Sequence, residues 1–393
     1  MKSINGMEMF SLREICEERV LRKDKVTGQA IGETVCFSSM EAMIDGALAF
    51  VRCFEKYHSL GKVYGDCDPE HFFFNLENGS MHFTGADLMK EEAEAVLDPE
   101  RVVYSEFLAP EIIEELDARR QEEKVDPVRF GLSTDRYFMA VFLFEYFFHT
   151  GSPFEGKRMV NRVFLSPEEK ELFRAREGAF CMEPGDHENG PVTGIQDKLI
   201  RYWQEYPDFL QKMFQRAFLS GGIMEQLRPT DVDWKQVLVH MAMDYKECAC
   251  GFRGFSFRLL PQENKTFACP KCGKIYYPLS DGLDRILLAP GEKLYACQTG
   301  RKPFDKDAVT GLVVENRQHR GLFGIKNVSE GEWRGFFPDH TTKYINKGQV
   351  IPIWSGMTLS FERGEDWTLR VLKMNDRKDA EQPESFTGEE EEV

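Results

Sequence analysis

The segment that decides the fold reads Val63-Tyr64-Gly65-Asp66-Cys67-Asp68-Pro69-Glu70-His71-Phe72-Phe73-Phe74-Asn75. It places five acidic or metal-ligating side chains ahead of an unbroken aromatic run, and that run predicts a buried strand. Apolar side chains recur at helical spacing over residues 39–60, and Ser39 is suited to be the N-cap. A second short segment, Met81-His82-Phe83-Thr84-Gly85-Ala86-Asp87, follows. We therefore predict a helix that leads directly into an acidic loop and then a strand.

This arrangement resembles the catalytic loop of a protein kinase and the hairpin after it. In a kinase, the loop aspartate accepts the substrate hydroxyl proton, and an asparagine five residues later binds magnesium. The resemblance implies that Asp66 is the base, but His71 stands at the asparagine position and Gly85 at that of the second magnesium ligand. We expect a vestigial base at Asp66, with His71 and Asp87 as weak metal or nucleotide candidates. Two alternatives stay open: a structural Asp66 that caps the loop, and a buried, hydrogen-bonded His71.

Further motifs extend the resemblance to the C-terminal lobe of a kinase. They are Ala109-Pro110-Glu111, then Ser133-Thr134-Asp135-Arg136-Tyr137 opening a very apolar helix, and finally Arg228-Pro229-Thr230. The resemblance implies that Asp135 hydrogen-bonds the loop backbone and that Glu111 forms a largely buried ion pair with Arg228. These are structural roles, because loss of one partner of a buried ion pair typically costs about 3–5 kcal/mol.

A hairpin is the only counterpart of the N-terminal lobe. Residues 17–37 have the pattern of two strands around a glycine-containing turn, and they match the last two strands of such a lobe. The sequence before Asp66 contains no Gly-x-Gly-x-x-Gly loop to cover phosphates. We therefore predict a kinase-like domain over residues 1–246 that lacks most of its N-terminal lobe, with ATP and magnesium binding in doubt. The truncated side is expected to expose an apolar surface that a partner covers.

Four cysteines in two pairs predict a zinc ribbon over residues 247–280. The pairs are Cys248-Ala249-Cys250-Gly251 and Cys269-Pro270-Lys271-Cys272-Gly273. A set of four thiolates suits a structural, tetrahedral zinc ion, which would supply much of the folding energy of so small a module. The first pair is C-x-C where a C-x-x-C knuckle is usual, and Glu247 occupies the position of the expected first cysteine. The alternative is four reduced thiols in a small hairpin.

Short alternating strands separated by turns predict a β-sandwich over residues 281–374. Residues 324–333 and 347–353 resemble a forkhead-associated (FHA) domain, a fold that binds phosphothreonine peptides. Asn327 and Ser329 resemble its binding loop. The basic candidates for holding a phosphate are Arg317, Arg320 and Lys326. The alternative is that these are solvated surface charges and the module only mediates contacts.

Composition restricts partners and compartment. The chain has 66 acidic and 50 basic residues, and the net charge of −16 argues against nucleic acid or an anionic membrane as the main partner. No apolar run is long enough to cross a membrane, and the start lacks the apolar stretch of a secretory signal. Scattered cysteines then predict a reduced, cytoplasmic protein. Residues 375–393 are predicted to be a disordered acidic tail.

The three predicted modules together give an α+β multidomain protein. A kinase lobe, zinc ribbon and FHA-like module occur together in bacterial serine/threonine kinases of tellurite-resistance-type (TerY-linked) operons, and residues 133–136, 153–158 and 289–296 resemble that group. The resemblance implies an active kinase, a metal-dependent protein phosphatase or a von Willebrand-type protein as partner. We predict a catalytically impaired kinase-like scaffold or regulator of phospho-signalling. Two alternatives are an active minimal kinase that uses Asp66 and a phosphopeptide-binding adaptor.

Overall fold

A computed structural model describes residues 2–4, 6–23, 30–97, 103–121, 128–220, 224–262, 266–280, 285–299, 302–316, 322–354, 356–361 and 368–371. The chain forms two compact units, Met1–Leu238 and Val239–Val393. It combines helices with small antiparallel sheets, which agrees with the predicted mixture of α and β structure. Arg317, Arg320 and the predicted acidic tail lie outside the described residues. The predicted module boundaries at 246, 280 and 374 stay predictions.

Most of the helices lie in the first unit. The described residues form ten: α1 Leu12–Glu17, α2 Met40–His58, α3 Pro110–Gln121, α4 Leu132–Phe148, α5 Lys157–Val160, α6 Pro167–Glu177, α7 Asp197–Glu205, α8 Asp208–Gln215, α9 Asp231–Asp244 and α10 Ala296–Thr299. None of those in the described part of the chain combines the length and the apolar character needed to cross a membrane.

The strands are short, and all of their pairings are antiparallel. Those of the first unit are β1 Lys2–Ile4, β2 Met7–Ser11, β3 Arg19–Lys23, β4 Ala30–Thr34, β5 Lys62–Tyr64, β6 Phe72–Phe74, β7 Met81–Phe83, β8 Met89–Glu91, β9 Val96–Leu97 and β10 Val128–Arg129. They pair as a four-stranded sheet, β1-β2-β6-β7, and as the two-stranded ladders β3-β4, β5-β8 and β9-β10. The predicted hairpin is confirmed as β3-β4, with Arg19 opposite Thr34.

Helix α2 is positioned by its cap and by an aromatic core. The Ser39 hydroxyl accepts a hydrogen bond from the Ala42 amide at 3.1 Å, as the sequence predicted. Phe50 of α2 stacks on Phe142 of α4 with 4.0 Å between ring centroids, and Phe72 of β6 packs edge-on against Phe50. Such aromatic pairs contribute about 0.5–1.5 kcal/mol each beyond their buried area. The loop between β5 and β6 is therefore held between two elements that share one rigid core.

The N-terminal strands pair with the strand that follows the acidic loop. Strand β2 pairs with β6 by placing Phe10 opposite Phe74, and Ser11 then N-caps α1 in a capping box with Glu14. The side chains of Phe10 and Phe74 are buried. β2 and α1 therefore cover this edge of the sheet, and the expected apolar surface on the truncated side stays a prediction.

The second unit contains two larger sheets around a common core. Its strands are β11 Tyr245–Glu247, β12 Arg253–Phe255, β13 Leu260–Pro261, β14 Phe267–Ala268, β15 Ile275–Ser280, β16 Arg285–Leu288, β17 Lys293–Tyr295, β18 Val309–Glu315, β19 Phe323–Asn327, β20 Trp333–Phe336, β21 Thr342–Ile345, β22 Val350–Pro352, β23 Thr358–Ser360 and β24 Thr368–Val371. Strands β17-β18-β19-β22 form one sheet, β13-β14-β15-β24-β23-β20-β21 with β16 form the other, and β11-β12 form a separate ladder. Ile325 of the first sheet and Trp333 and Leu359 of the second lie in one buried cluster. The strands are present as predicted, and the finer assignment as a sandwich stays a prediction.

Candidate functional site

The acidic loop brings Asp66, Asp68 and His71 together. His71 Nε2 lies 3.3 Å from an Asp66 carboxylate oxygen and 3.9 Å from one of Asp68. Asp68 also caps the short 3-10 turn Pro69–His71, because its carboxylate accepts from the Glu70 amide at 2.9 Å. One ligand atom from each of the three side chains lies within 4.8 Å of the others, so the group could hold a cation.

The surroundings of this group set its proton affinity and its orientation. Burial raises the pKa of Asp66, and the charge of Asp68 adds to that, whereas His71 opposes it. The other ring nitrogen of His71 lies 3.2 Å from the Thr84 hydroxyl, which fixes the imidazole plane. His71 is half-buried, with a side chain 30% exposed. The imidazole is therefore positioned to contact the Asp66 carboxylate or to share an ion with it.

Asp87 is not part of that group. It lies in the 3-10 turn Ala86–Leu88, it is exposed, and the clusters of potential metal ligands among the described residues do not include it. The structure thus brings together two of the three residues that the sequence offered as base, metal or nucleotide candidates. Asp68 takes the third position, and the sequence had offered it as a neighbour of Asp66 beside which His71 could ligate a divalent ion.

Asp135 fixes the backbone at the start of the loop. Its carboxylate is fully buried and accepts a hydrogen bond of 2.7 Å from the Tyr64 amide. This is the contact that the kinase resemblance implied for Asp135. The same carboxylate oxygen lies 3.0 Å from His58 Nε2, and His58 Nδ1 lies 2.8 Å from Asp231. One imidazole therefore joins the end of α2 to the first turns of α4 and α9.

The charge state of His58 follows from these two contacts. Burial lowers the pKa of His58, but hydrogen bonds to Asp135 and Asp231 outweigh it and raise that pKa to about 9. Burial raises the pKa of Asp135 to about 6, against the opposing effect of His58. Both ring nitrogens face carboxylates, so only the doubly protonated imidazolium can donate to both. At neutral pH the cluster is a buried cation between two anions.

Glu111 and Arg228 form the ion pair that the resemblance implied. The Arg228 guanidinium donates to the two Glu111 oxygens at 2.7 and 2.8 Å, and it also donates to the Ser133 carbonyl at 2.9 Å. The Arg228 side chain is 1% exposed and that of Glu111 28%. This bidentate geometry ties the start of α3 to the start of α4.

Sequence reasoning missed three buried polar residues of this unit. His58, Asp231 and Arg174 carry no motif of their own. Arg174 of α6 is bound to Glu171 and donates to the Leu108 carbonyl at 2.8 Å, just before α3. The only available signal was the position of Asp231 directly after Arg228-Pro229-Thr230. The pair of Arg174 with Glu171 is local, but the contacts of His58 with Asp231 and Asp135 and of Arg174 with Leu108 span 173, 77 and 66 residues, so local sequence patterns do not reveal them.

The four predicted cysteines converge in the second unit. One sulfur atom from each of Cys248, Cys250, Cys269 and Cys272 lies within 4.8 Å of the others. The Cys248–Cys272 and Cys250–Cys269 sulfur pairs are each separated by 3.6 Å, far beyond the disulfide bond length of about 2.05 Å. The cluster could therefore hold a metal ion such as zinc. Glu247 is exposed and pairs with Arg253, so it lies outside the cluster.

A tighter turn compensates for the missing residue of the first cysteine pair. In the second pair, the Gly273 amide donates a hydrogen bond to the Cys269 carbonyl, and the Cys269 amide donates one to the backbone carbonyl of Lys274. In the first pair, the Gly251 amide donates to the Cys248 carbonyl across one residue fewer. Both glycines have positive φ, +84° at Gly251 and +73° at Gly273, which a side chain would disfavour. The C-x-C spacing thus still delivers two thiols to one side of a turn.

Backbone amides favour the thiolate form of Cys248 and Cys269, whereas burial raises the pKa of Cys250 to about 12. The Cys250 amide is the main cause that lowers the pKa of Cys248, to about 7, against the opposing effect of burial. Burial raises the pKa of Cys269, but the amides of Cys272 and Lys271 outweigh it and lower that pKa overall. Thiolate is the form that binds metal ions. The loop backbones therefore prepare these sulfur atoms for metal binding.

Asn327 and Ser329, two of the candidates for binding a phosphopeptide, form hydrogen bonds within the β module itself. Asn327 is fully buried, and its side-chain amide donates to the carbonyls of Gly331 and Ile345 at 2.8 and 3.0 Å. Its carbonyl oxygen accepts from the amide and the hydroxyl of Ser329. Lys326 is half-buried on β19. The Asn327 side chain therefore closes a turn and is not displayed to a ligand.

Comparison with models of known protein families produced no match, and a search among curated proteins likewise found no similar protein. What the chain does has therefore to be argued from its own residues and contacts.

The buried ion pair gives a first prediction. Replacing Glu111 by Gln leaves the Arg228 guanidinium buried without its counterion, and we expect the free energy of unfolding to fall by about 3–5 kcal/mol. Urea unfolding followed by helical circular dichroism measures this, because most helices lie in the first unit. Asp208→Asn breaks the exposed pair with Lys212 and should cost less than about 0.5 kcal/mol. Equal losses in the two variants would contradict a special role for the buried pair.

His58 predicts a loss of stability on the alkaline side. Its pKa rises from an unfolded value of about 6.5 to about 9 in the fold, so its contribution is complete below pH 6.5 and disappears as the pH rises through 9. The expected loss is on the order of 3 kcal/mol. Urea midpoints from pH 6 to 10 should fall less steeply in His58→Gln than in the parent. His149→Gln is the control, because burial lowers the pKa of His149, and its alkaline decline should match the parent's.

Proposed function

We propose that this chain is a kinase-like protein that acts in phospho-signalling through protein contacts, with impaired phosphoryl transfer. The observation that carries the proposal is a contrast within the first unit. The contacts that the resemblance implies for the framework are formed, namely Asp135 with the Tyr64 amide and Glu111 with Arg228. The positions that would bind magnesium hold His71 and Gly85. A framework without its metal ligands suits a scaffold or regulator.

The chemistry of magnesium supports impairment. Magnesium prefers six oxygen ligands in near-octahedral geometry, and imidazole nitrogen suits zinc and other transition metals instead. His71 offers nitrogen, directed at Asp66 from 3.3 Å, where the kinase motif has an amide oxygen. Asp87, the remaining carboxylate candidate, is outside the group. Without two metal ions that bridge the phosphates, the main source of charge stabilisation for phosphoryl transfer is reduced.

The active-kinase alternative rests on one specific observation. Asp66, Asp68 and His71 form a group whose ligand atoms lie within 4.8 Å of each other. Such a mixed oxygen and nitrogen set suits manganese better than magnesium. In that case Asp66 would be the base, and its pKa, which burial raises, would favour proton acceptance near neutral pH.

We also propose that the second unit is stabilised by zinc. In a tetrahedral site with zinc–sulfur bonds of about 2.3 Å, the sulfur atoms are about 3.8 Å apart. Two of the sulfur pairs here are separated by 3.6 Å, and all four sulfur atoms lie within 4.8 Å of one another. Four protein ligands leave no open coordination position, so the zinc would be structural.

The partners we propose are an active kinase, a metal-dependent protein phosphatase or a von Willebrand-type protein, in the cytoplasm.

The zinc proposal predicts one zinc ion per chain. Protein purified without added metal should contain it by elemental analysis, and Cys269→Ser should lose it together with much of the stability of the second unit. Cys36→Ser changes an exposed cysteine outside the cluster and should keep both zinc and stability. Chelation should lower the melting temperature of the parent but not that of Cys269→Ser. Parent protein without metal and with unchanged melting would contradict the proposal.

The scaffold proposal predicts little phosphoryl transfer. Calorimetry with ATP and magnesium should detect no binding, and radiolabelled ATP should not label the protein or a generic substrate such as casein, because the magnesium ligands are replaced. Manganese is tested in parallel, with Asp66→Asn as the matched variant.

Incorporation of label that Asp66→Asn abolishes would establish the active-kinase alternative. A chain that neither transfers phosphate nor forms a complex with any of the three proposed partner types would refute the scaffold role. Complex formation is measured by size-exclusion chromatography of purified pairs. The column dilutes the sample, so only a stable complex elutes as one peak, and weak association is not counted.

A further inference from the structure

A groove in the first unit is lined by four glutamates, which differ in how deeply they are buried. It has a volume of about 470 Å³ and lies among α1, the 3-10 turn Pro69–His71, the segment before α3 and the end of α4. Glu17 and Glu70 are exposed at its rim, Glu106 is half-buried, and Glu145 is 7% exposed. A volume of this size is within the usual range for small-ligand sites.

Glu145 is the unusual member of this set. Its Oε1 atom is inaccessible to solvent and has no hydrogen-bond partner in the described part of the chain. Burial raises the pKa of Glu145 well above its ordinary value, and the nearby carboxylates of Glu106 and Glu155 raise it further. The Glu145 side chain hydrogen-bonds that of Glu106, so Oε1 is the atom left without a partner. A buried polar atom without a partner costs free energy and needs an explanation, which a bound ligand or partner would supply.

The cations near this groove are already engaged. Lys170, whose charge acts on Glu145, is bound to Glu155 at 2.5 Å. Arg13 lines the groove, but its guanidinium bonds to Glu17 at 3.0 Å and is 77% exposed. The carboxylates at the bottom of the groove therefore lack a full counter-charge from these two bases.

The walls suit a long side chain with a cationic end. Leu12 and Phe107 are buried apolar residues that line the groove, together with Pro69. Arginine and lysine place an aliphatic stem on apolar surface and reach further with the charged group. A guanidinium also matches carboxylate geometry in a bidentate way. A bare divalent ion fits less well, since the three-ligand clusters found among the described residues do not include Glu145.

We propose that this groove is a docking site for an arginine side chain of a partner protein, with Glu145 as its deepest acceptor and Glu106, Glu70 and Glu17 along the entrance. Glu70 belongs to the same loop as Asp66, so a segment bound here would pass beside the acidic loop. The proposal requires no phosphoryl transfer and stands whether or not the kinase-like function proves correct.

The test uses the full chain and a short fluorescein-labelled glycine–alanine peptide with one central arginine. The same peptide with citrulline in place of arginine keeps the shape of the side chain without its charge. A version with lysine keeps the charge without the planar guanidinium that can bind a carboxylate through two hydrogen bonds. Fluorescence anisotropy gives the dissociation constants at low and at moderate salt. We expect the arginine peptide to bind about tenfold or more tightly than the citrulline peptide, and the lysine peptide to bind between them.

Variants separate the groove from general attraction to an acidic protein. Glu145→Gln should weaken arginine binding about tenfold, because it removes the carboxyl group that a bound guanidinium would ionise and pair with, at nearly constant shape. Glu70→Gln on the exposed rim should weaken it by a smaller factor. Glu41→Gln, an exposed residue at the start of α2 outside the groove, removes the same charge and should leave binding unchanged.

Three results would overturn the proposal. These are no preference for arginine over citrulline, equal binding by the Glu145→Gln and Glu70→Gln variants and the parent, or the same loss in Glu41→Gln as in the groove variants. Thermal unfolding of each variant shows that the fold persists. Should Glu145→Gln not fold, the comparison of Glu70→Gln with Glu41→Gln decides alone, since both are surface changes.

Discussion

The first unit depends on one buried cation, the imidazolium of His58 between the carboxylates of Asp135 and Asp231. An isolated carboxylate with the burial of Asp135 would carry a desolvation cost of several kcal/mol. The imidazolium and the Tyr64 amide offset that cost from two sides. Because the three charged residues come from the end of α2 and the starts of α4 and α9, a change in any of these helices would leave a charge unpaired. The position of the acidic loop is therefore set by electrostatics as well as by packing.

The loop can carry backbone strain because both of its ends are held. Cys67 has φ of +54°, in the left-handed region that a non-glycine residue enters at a cost of about 1–2 kcal/mol. Upstream, the Tyr64 amide is bound to Asp135, and downstream Phe72 is packed into the aromatic core. Between these anchors the chain turns sharply, which directs Asp66 and His71 toward each other. The same rigidity that would serve catalysis would serve a scaffold, so the rigid loop by itself does not distinguish the two functions.

Local patterns allowed much of this architecture to be predicted, whereas long-range pairings did not follow from them. The α2 helix with its Ser39 cap, the β3-β4 hairpin, the short strands of the second unit and the four clustered cysteines all follow from spacing within short windows. The pairing of β2 with β6 could not be predicted in this way. The two strands are some sixty residues apart, and the sequence of neither strand indicates which strand it pairs with. The bridge from His58 to Asp231 was likewise invisible, since a histidine at a helix end is usually an ordinary surface residue. The position of Asp68 beside His71 was foreseen from the short spacing of the motif, whereas its role as the cap of the Pro69–His71 turn was not.

Charge compensation distinguishes Glu145 from the other buried ions of this unit. Asp135 and Asp231 share His58, Glu111 binds Arg228, and Glu171 binds Arg174. Each of these anions gains a base that belongs to the framework, which is the usual condition for burying charge. Glu145 instead faces another carboxylate and an open groove, although it is on the same helix as Asp135 and only about three turns away. Asp135 Oδ1 and Asp231 Oδ1 also lack a hydrogen-bond partner, so the contrast lies in the base and not in complete hydrogen bonding. A helix that supplies a base to one buried carboxyl group and none to the other is most simply explained if the missing base comes from outside the chain.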